Sequence, residues 1–218
     1  MALIKLQEVK RNYGNQWAVN GVSLELNEGE QVCIKGASGS GKSTLLYMLG
    51  GLERPSHGTI KVKNLNLTRA SDQDLAHYRN EQVGFVFQFH FLLSTLSALD
   101  NVRMPIRIAG KREKDYQQKI EQLADRLGVK DCLKKFPYQL SGGEQQRISI
   151  MRALVLAPPI LLCDEPTGNL DSQNSANVID LLKELARPSK TTLVVVTHDD
   201  AVATKFSRQL YMKDGKLI

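Results

Sequence analysis

One short glycine-rich segment limits the fold of this chain more than any other feature. It fits the pattern G-x-x-x-x-G-K-[ST], and with the residue after it the segment comprises Gly36, Ala37, Ser38, Gly39, Ser40, Gly41, Lys42, Ser43 and Thr44. An apolar run at 31–35 precedes it, and leucines spaced along one side of 42–49 follow it, which is the order strand, loop, helix. Inward-turned backbone N–H groups and a helix N-terminus together form a nest for phosphate. We therefore predict a phosphate-binding loop at 36–44.

The remaining hydrophobic pattern predicts two kinds of sheet. Near-continuous apolar runs at 83–87, 160–163 and 193–196 are typical of strands buried on both faces of a parallel sheet, which helices must then cover. Segments 2–10, 22–26 and 59–67 instead alternate or are punctuated by turn residues, as in a smaller antiparallel layer. We predict an α/β fold with a parallel-sheet core and an N-terminal antiparallel β layer.

The chain between about 90 and 157 has a helical pattern. Ile120, Leu123, Ala124 and Leu127 lie on one stripe of a helix predicted at 113–127, which Gly128 ends. We interpret this region as an inserted α-helical subdomain. The domain prediction is a single domain over 1–218, with the core at about 1–88 and 158–218 and the helical subdomain at about 89–157.

Composition argues against a disordered, fibrous or membrane-spanning chain. A hydrophobic fraction of 42% and a charged fraction of 24% are those of a globular chain, and no apolar run reaches 18 residues. The N-terminal stretch MALIKLQEVK lacks a long apolar region and a cleavage site, so we expect a cytoplasmic protein. The net charge of +6 favours anionic partners or is simply a solvated basic surface.

Some residues that often bind metals or lipids are given structural roles here. The three cysteines lack C-x-x-C spacing and are predicted to be reduced core thiols, and three histidines without ligand spacing are assigned to surface or packing: Cys33, Cys132, Cys163, His57, His77 and His90. A basic cluster is interpreted as a solvated helix start, with lipid headgroup contact as the alternative; it comprises Arg107, Lys111, Arg112 and Lys114.

Two carboxylates end the apolar run at 160–163. Because open α/β folds bind ligands at the carboxyl ends of their strands, Asp164 is placed near the phosphate loop. Asp164 then becomes the magnesium-side acid with the Ser43 hydroxyl, while Lys42 reaches the β- and γ-phosphates. Glu165 is the candidate that orients and polarises an attacking water. The alternative is a purely structural carboxylate pair.

A second helix start carries an unusual pair of glycines. In the LSGGE segment (residues 140–144), Ser141 and Glu144 fit a capping box. Gly142 and Gly143 cost helix propensity, about 1 kcal/mol each relative to alanine, without helping the cap. Backbone amides exposed for a phosphate explain the glycines better than a cap alone does.

The order of these motifs resembles that of an ABC-transporter ATPase domain, and the resemblance covers essentially the whole chain. It rests on the phosphate loop, Gln88, LSGGE, LLCDEP, NLD and His198. The resemblance implies that Tyr13 stacks on adenine, Gln88 lies near magnesium, Asp171 is the D-loop acid and His198 contacts the γ-phosphate. For Tyr13 an ordinary surface aromatic is the alternative.

The resemblance also implies a function. A magnesium-dependent ATPase using ATP and Mg²⁺ is expected to close as a head-to-tail homodimer, with each ATP between 36–44 of one chain and 141–144 of the other. It is expected on the cytoplasmic face of the inner membrane, touching the bilayer only through a separate integral membrane subunit, with no nucleic acid partner.

The segment 85–105 and EPTGNLDS are similar to the macrolide-exporter, lipoprotein-releasing and cell-division group known as MacB, LolD and FtsE. Glu144, Cys163 and Ser94 depart from common residues of the family.

Alternatives remain open within and outside that group. They are a cell-division ATPase, a soluble ABC ATPase acting on nucleic acid or ribosomes, a kinase, and an inactive scaffold.

An apolar run after Gln88 is predicted to dock on the membrane partner, with core packing against Val102 and Met104 as the alternative. Its residues are Phe89, Phe91, Leu92, Leu93 and Leu96. The resemblance implies that the membrane subunit recognises the cargo.

Overall fold

The computed structural model describes residues 2–168 and 172–218, and for 172–177 it describes the helix but not the side chains. The strands are β1 (Ala2–Tyr13), β2 (Gln16–Asn27), β3 (Gln31–Lys35), β4 (His57–Val62), β5 (Leu65–Asn66), β6 (Val83–Val86), β7 (Ile160–Asp164), β8 (Thr192–Thr197), β9 (Arg208–Lys213) and β10 (Lys216–Leu217). The α-helices are α1 (Lys42–Leu49), α2 (Asp72–Glu81), α3 (Ala98–Ile108), α4 (Gln117–Leu127), α5 (Gly142–Leu154), α6 (Ser172–Ala186) and α7 (Asp200–Ala203).

The larger sheet positions the candidate site. Its strand order is β10-β9-β3-β8-β7-β6, and all neighbours are parallel except β10, which pairs antiparallel with β9. Lys35 pairs with Thr197 and Asp164 pairs with Val196, so β3, β7 and β8 end at one edge. The three strands therefore deliver the phosphate loop, both carboxylates and His198 to the same place.

The smaller sheet is antiparallel, in the order β2-β1-β4-β5. Its strands β1 and β2 are longer than the predicted 2–10 and 22–26, because they continue as a hairpin whose pairing runs from Ala2–Asn27 to Tyr13–Gln16. The segment 59–67 is interrupted by a turn, as its turn residue Asn64 indicates. A turn at Lys63, whose φ is 49°, divides it into β4 and β5.

Two hydrophobic cores flank the parallel sheet. Alternate residues of β3 face opposite sides: Val32 and Ile34 pack with α1 and the antiparallel layer, and Cys33 packs with the helices on the other face. This alternation explains why the strands are apolar throughout. The α/β fold prediction is confirmed.

The helical region differs from prediction at element ends. The helix expected at 113–127 begins as a 3₁₀ turn at Glu113–Tyr116, and regular α-helix starts only at Gln117. Helix α5 begins at Gly142, directly after Ser141, where the capping box predicts its start. The three cysteines are free and buried, as predicted. Among the helices in the described part of the chain, none is long and apolar enough to cross a membrane.

Candidate functional site

A cavity of about 670 Å³ lies at the carboxyl edge of the parallel sheet. It brings together the phosphate loop, Gln88, both carboxylates and His198. The full lining is Ala18, Ala37, Ser38, Gly39, Gly41, Lys42, Ser43, Thr44, Tyr47, Phe87, Gln88, Phe89, Phe91, Asp164, Glu165 and His198. We refer to it as the phosphate cavity.

The phosphate loop needs glycine for two different reasons. Gly41 has φ 101° at the N-cap of α1, a left-handed conformation that residues with a side chain rarely adopt. Gly36 has an ordinary backbone, but a Cβ there would lie 2.2 Å from the Met212 carbonyl oxygen. Gly36 and the buried Ser40 therefore shape the loop from outside the cavity lining.

Lys42 is held inside the loop. Its Nζ donates to the carbonyls of Gly36 at 2.7 Å and Ala37 at 2.8 Å, and the residue is 5% exposed. Burial lowers the pKa of Lys42, and the nearby Glu165 and Asp164 carboxylates oppose that shift. The Lys42 ammonium therefore lies inside the loop, and a bound phosphate would replace the two carbonyls as its hydrogen-bond partner.

Asp164 lies where the end of β7 meets α1. Ser43 Oγ donates to its Oδ1 at 2.9 Å, and the Tyr47 hydroxyl donates to its Oδ2 at 2.8 Å. A hydroxyl and a carboxylate side by side fit Mg²⁺, which prefers oxygen ligands and takes few of them from the protein when it also binds phosphates. No cluster of three or more His, Cys, Asp and Glu side chains suited to a metal occurs in the described ranges 2–168 and 172–218. Any ion here would rely on this small oxygen set.

Glu165 has a constrained backbone and a carboxylate with two side-chain partners. Its φ is 45°, a left-handed value that is costly for a residue with a side chain, and its N–H donates to the Val196 carbonyl at 3.0 Å. Oε2 accepts from Thr197 Oγ1 at 2.9 Å, and His198 Nδ1 lies 2.9 Å from Oε1. The Glu165 side chain is 13% exposed against 64% for His198. The Glu165 carboxylate is therefore a proton acceptor that lies beside the exposed His198 ring.

Three contacting residues were missed by sequence reasoning. Thr197 and Tyr47 hold the two carboxylates, and Phe87 lines the cavity beside Gln88. The strand end was visible in the sequence, so the hydroxyl directly after LVVV was the available signal for Thr197. No such signal marks Tyr47, which reaches Asp164 across 117 residues.

Tyr13 lies outside the cavity lining. It is 46% exposed, the Arg11 guanidinium sits 4.9 Å from its ring centroid, and its hydroxyl donates to Glu53. One face of the ring is thus occupied by a cation. Asp171, the other residue assigned by resemblance, lies outside the described residues.

The LSGGE segment also lies outside the cavity. Ser141 caps α5: its N–H donates to Glu144 Oε2 at 2.7 Å, and Glu144 N–H donates to Ser141 Oγ at 3.3 Å. Cys132 Sγ donates to Glu144 Oε1 at 3.0 Å, and this bond, with those from Ser141, holds the pKa of Glu144 at about 2. Ser141 and Gly142 are exposed, and Gly142 has open space where a Cβ would be. This helix start faces solvent.

Comparisons with known proteins agree on one family. The family model described as "ABC transporter" matches residues 19–168. The lipoprotein-releasing system ATP-binding protein LolD of Leptospira interrogans is 42% identical over 99% of this chain and 90% of its own length, and that of Bdellovibrio bacteriovorus is 48% identical over 91% and 90%.

Solved structures extend the likeness to three dimensions. The dimeric structure of MJ0796, a bacterial ABC transporter cassette, has a TM-score of 0.90 and 39% identity over 98% of this chain and 96% of its own. A dimeric post-hydrolysis state of the same cassette, bound to ADP and Pi, has a TM-score of 0.89 at 38% identity, with the same coverage.

Proposed function

This chain belongs to the ABC transporter family and is an ATP-hydrolysing subunit of it, and from that premise we propose that it is the ATPase of a lipoprotein-releasing system. The observation that carries the catalytic part is the Glu165 carboxylate, which lines the phosphate cavity and is held by Thr197 and His198. The full-length LolD relatives support the lipoprotein-releasing branch over a cell-division role.

The site residues are proposed to have the following tasks. The amides of 36–44 and Lys42 bind the phosphates of ATP, Glu165 takes a proton from the attacking water, and His198 orients the γ-phosphate beside it. Ser43, Asp164 and Gln88 would hold Mg²⁺, which when bound neutralises the charge of the phosphate oxygens. Tyr13 is the proposed adenine contact through the ring face opposite Arg11, and Asp171 the proposed D-loop acid.

Replacing the proposed base tests this assignment. Glu165→Gln keeps the shape but removes the proton acceptor, so we expect ATP affinity near that of the parent and turnover lower by about 10² to 10⁴. Glu25→Gln, which breaks only the surface pair with Lys5, is the matched control and should retain full turnover. Turnover of Glu165→Gln within fivefold of the parent would refute the assignment.

We also propose ATP-dependent homodimerisation. Ser141 and Gly142 are exposed, and the LSGGE segment lies outside its own chain's phosphate cavity, so this helix start is available to the ATP of a second copy. The dimeric state described for MJ0796 supports this arrangement.

Light scattering of Glu165→Gln protein should give twice the monomer mass with ATP and the monomer mass without it. Adding Ser141→Arg should abolish the dimer, because a bulky side chain then covers the exposed amides. Ser71→Arg is a matched control, since Ser71 caps α2 through the same type of capping box with Asp74. A dimer that survives Ser141→Arg, or fails equally with Ser71→Arg, would argue against the composite site.

An apolar groove of about 390 Å³ is the proposed contact with the membrane subunit. Phe91, Leu93 and Ile108 line it and are 63%, 46% and 66% exposed. Of the other residues in the predicted docking run, Leu92 packs against the buried core, Phe89 lines the phosphate cavity, and Leu96 does not line the groove. Arg152 on α5 fixes the run by donating to the carbonyls of Phe91 and His90, both at 2.8 Å.

The apolar lining of the groove suits an apolar helix of the membrane subunit. Because Phe87 and Phe91 line both the groove and the phosphate cavity, a helix bound there would be coupled to the nucleotide. Leu93→Ser with Ile108→Ser should release the protein from the membrane fraction of cells while ATPase activity and melting temperature stay near the parent. Leu52→Ser, at a residue 46% exposed but outside the groove lining, is the control. Unchanged membrane association of the double variant would contradict the docking proposal.

The proposed setting follows from these parts. The protein works on the cytoplasmic face of the inner membrane, touches the bilayer only through its partner, and consists of one domain whose 89–157 subdomain carries the groove wall. Two residues of the basic cluster form ion pairs within this chain, which supports the solvated helix start: Arg107 contacts Asp100 and Glu113, and Arg112 contacts Asp115. Detergent extraction and identification of the co-purifying membrane subunit would test the lipoprotein-releasing assignment.

A further inference from the structure

Both carboxylate oxygens of Asp164 accept a hydrogen bond from helix α1. Ser43 and Tyr47 are four residues apart, so their side chains lie on the same face of that helix, one turn apart. Their hydroxyls lie 2.9 and 2.8 Å from Oδ1 and Oδ2. Both oxygens of the Asp164 carboxylate are therefore held by side chains of the same helix.

The surroundings keep Tyr47 in this position. Its ring lines the phosphate cavity and lies 6.3 Å from the Phe87 ring, centroid to centroid. The Tyr47 side chain is half-buried, and its hydroxyl donates to Asp164 from this position. Asp164 is 6% exposed, which leaves few waters to replace that donor.

We propose that Tyr47 is a positioning residue for magnesium: by holding Oδ2 of Asp164, it directs Oδ1 and Ser43 Oγ toward the ion as a ready-made pair. This inference rests on the proposed function of the cavity. An aspartate carboxylate turns about a broad, weakly restricted torsion, so the Ser43 bond alone leaves its orientation loose. A second charge-assisted hydrogen bond removes that freedom before the ion arrives.

The test compares two tyrosines that each lose one hydroxyl. Tyr47→Phe removes the donor to Asp164, while Tyr78→Phe removes the donor to the Leu49 carbonyl at 2.7 Å, away from the cavity. ATP binding is titrated by calorimetry in EDTA and at a series of Mg²⁺ concentrations, and Mn²⁺ binding is followed by electron paramagnetic resonance.

Tyr47→Phe should bind ATP in EDTA as the parent does, yet need about 10-fold more Mg²⁺ or Mn²⁺ for half-saturation, the size of one charge-assisted hydrogen bond. Its kcat should recover at high Mg²⁺. Tyr78→Phe should melt earlier with unchanged metal dependence. If Tyr47→Phe does not fold, Tyr47→Met loses the same hydroxyl with a more adaptable side chain, and the same shift is expected.

Half-saturation of Tyr47→Phe within twofold of the parent, or a shift equal to that of Tyr78→Phe, overturns the role of Tyr47. A parent protein whose ATP binding and turnover show no dependence on Mg²⁺ would instead overturn the proposed function itself.

Discussion

Removing one hydroxyl from Thr197 should slow hydrolysis without weakening ATP binding. Thr197 is fully buried, donates to Glu165 Oε2 at 2.9 Å, and accepts from Asp199 N–H at 3.0 Å. Thr197→Val keeps the branched shape that suits the end of β8 but loses both bonds. A hydrogen bond to a charged group contributes about 1.5 to 3 kcal/mol.

If that energy serves to orient Glu165, kcat should fall about 10- to 150-fold, at about 1.4 kcal/mol per factor of ten. KM for ATP should stay within about twofold, because Thr197 does not line the phosphate cavity. The unpaired Asp199 N–H should cost about 1 kcal/mol of stability, which corresponds to a melting temperature lower by about 2 to 4 °C.

The assay is steady-state phosphate release at saturating Mg²⁺, with calorimetry for ATP affinity and a thermal melt on the same samples. Thr197→Ser is the matched control, since it restores the hydroxyl, and it should recover most of the rate. A Thr197→Val kcat within twofold of the parent would refute the argument that this bond positions Glu165. An equal loss with Thr197→Ser would attribute the effect to the missing methyl group instead.

Three further predictions use the glycines and the cap. Gly142→Ala has open space for its Cβ, so the monomer should melt no lower than the parent, while ATP-driven dimerisation measured by light scattering should weaken at least 10-fold if those amides contact a partner's phosphate. Gly36→Ala should reduce ATP affinity at least 10-fold in calorimetry, because its Cβ would lie 2.2 Å from the Met212 carbonyl oxygen. The pKa of Glu144 is lowered from 4.5 to about 2, so its ionised form stabilises the fold above pH 4.5 and this stabilisation is lost as the pH falls toward 2. The difference in melting temperature between the parent and Glu144→Gln should therefore disappear over this pH interval.

Local patterns predicted the elements that position the site. Strands buried on both faces and the glycine-rich turn before α1 follow from short stretches of sequence, so β3, β6, β7, β8 and α1 were placed within two residues of their ends. The ends that differ are set by contacts outside the segment. The hairpin of β1 and β2 extends to Tyr13 and Gln16 because each strand continues to find hydrogen-bond partners in the other.

The side-chain contacts of the site depend on packing between distant segments. Tyr47 meets Asp164 only because α1 packs against β7 in one register, which no spacing within 42–49 encodes. Leu92 and Leu93 are adjacent and equally apolar, yet one packs into the core and the other lines the groove. Only the path of the backbone between β6 and α3 separates these two fates.

The burial of all three thiols has a practical consequence for measuring motion. Burial raises the pKa of Cys33 to about 12 and also raises the pKa of Cys132 and Cys163, and only the thiolate reacts readily with maleimides. A new cysteine at Tyr138, which is 76% exposed and lies just before the LSGGE segment, would therefore take a spin label selectively, with the natural thiols left in place. Distances between labels on two copies would then record how far they approach during one round of nucleotide binding and release.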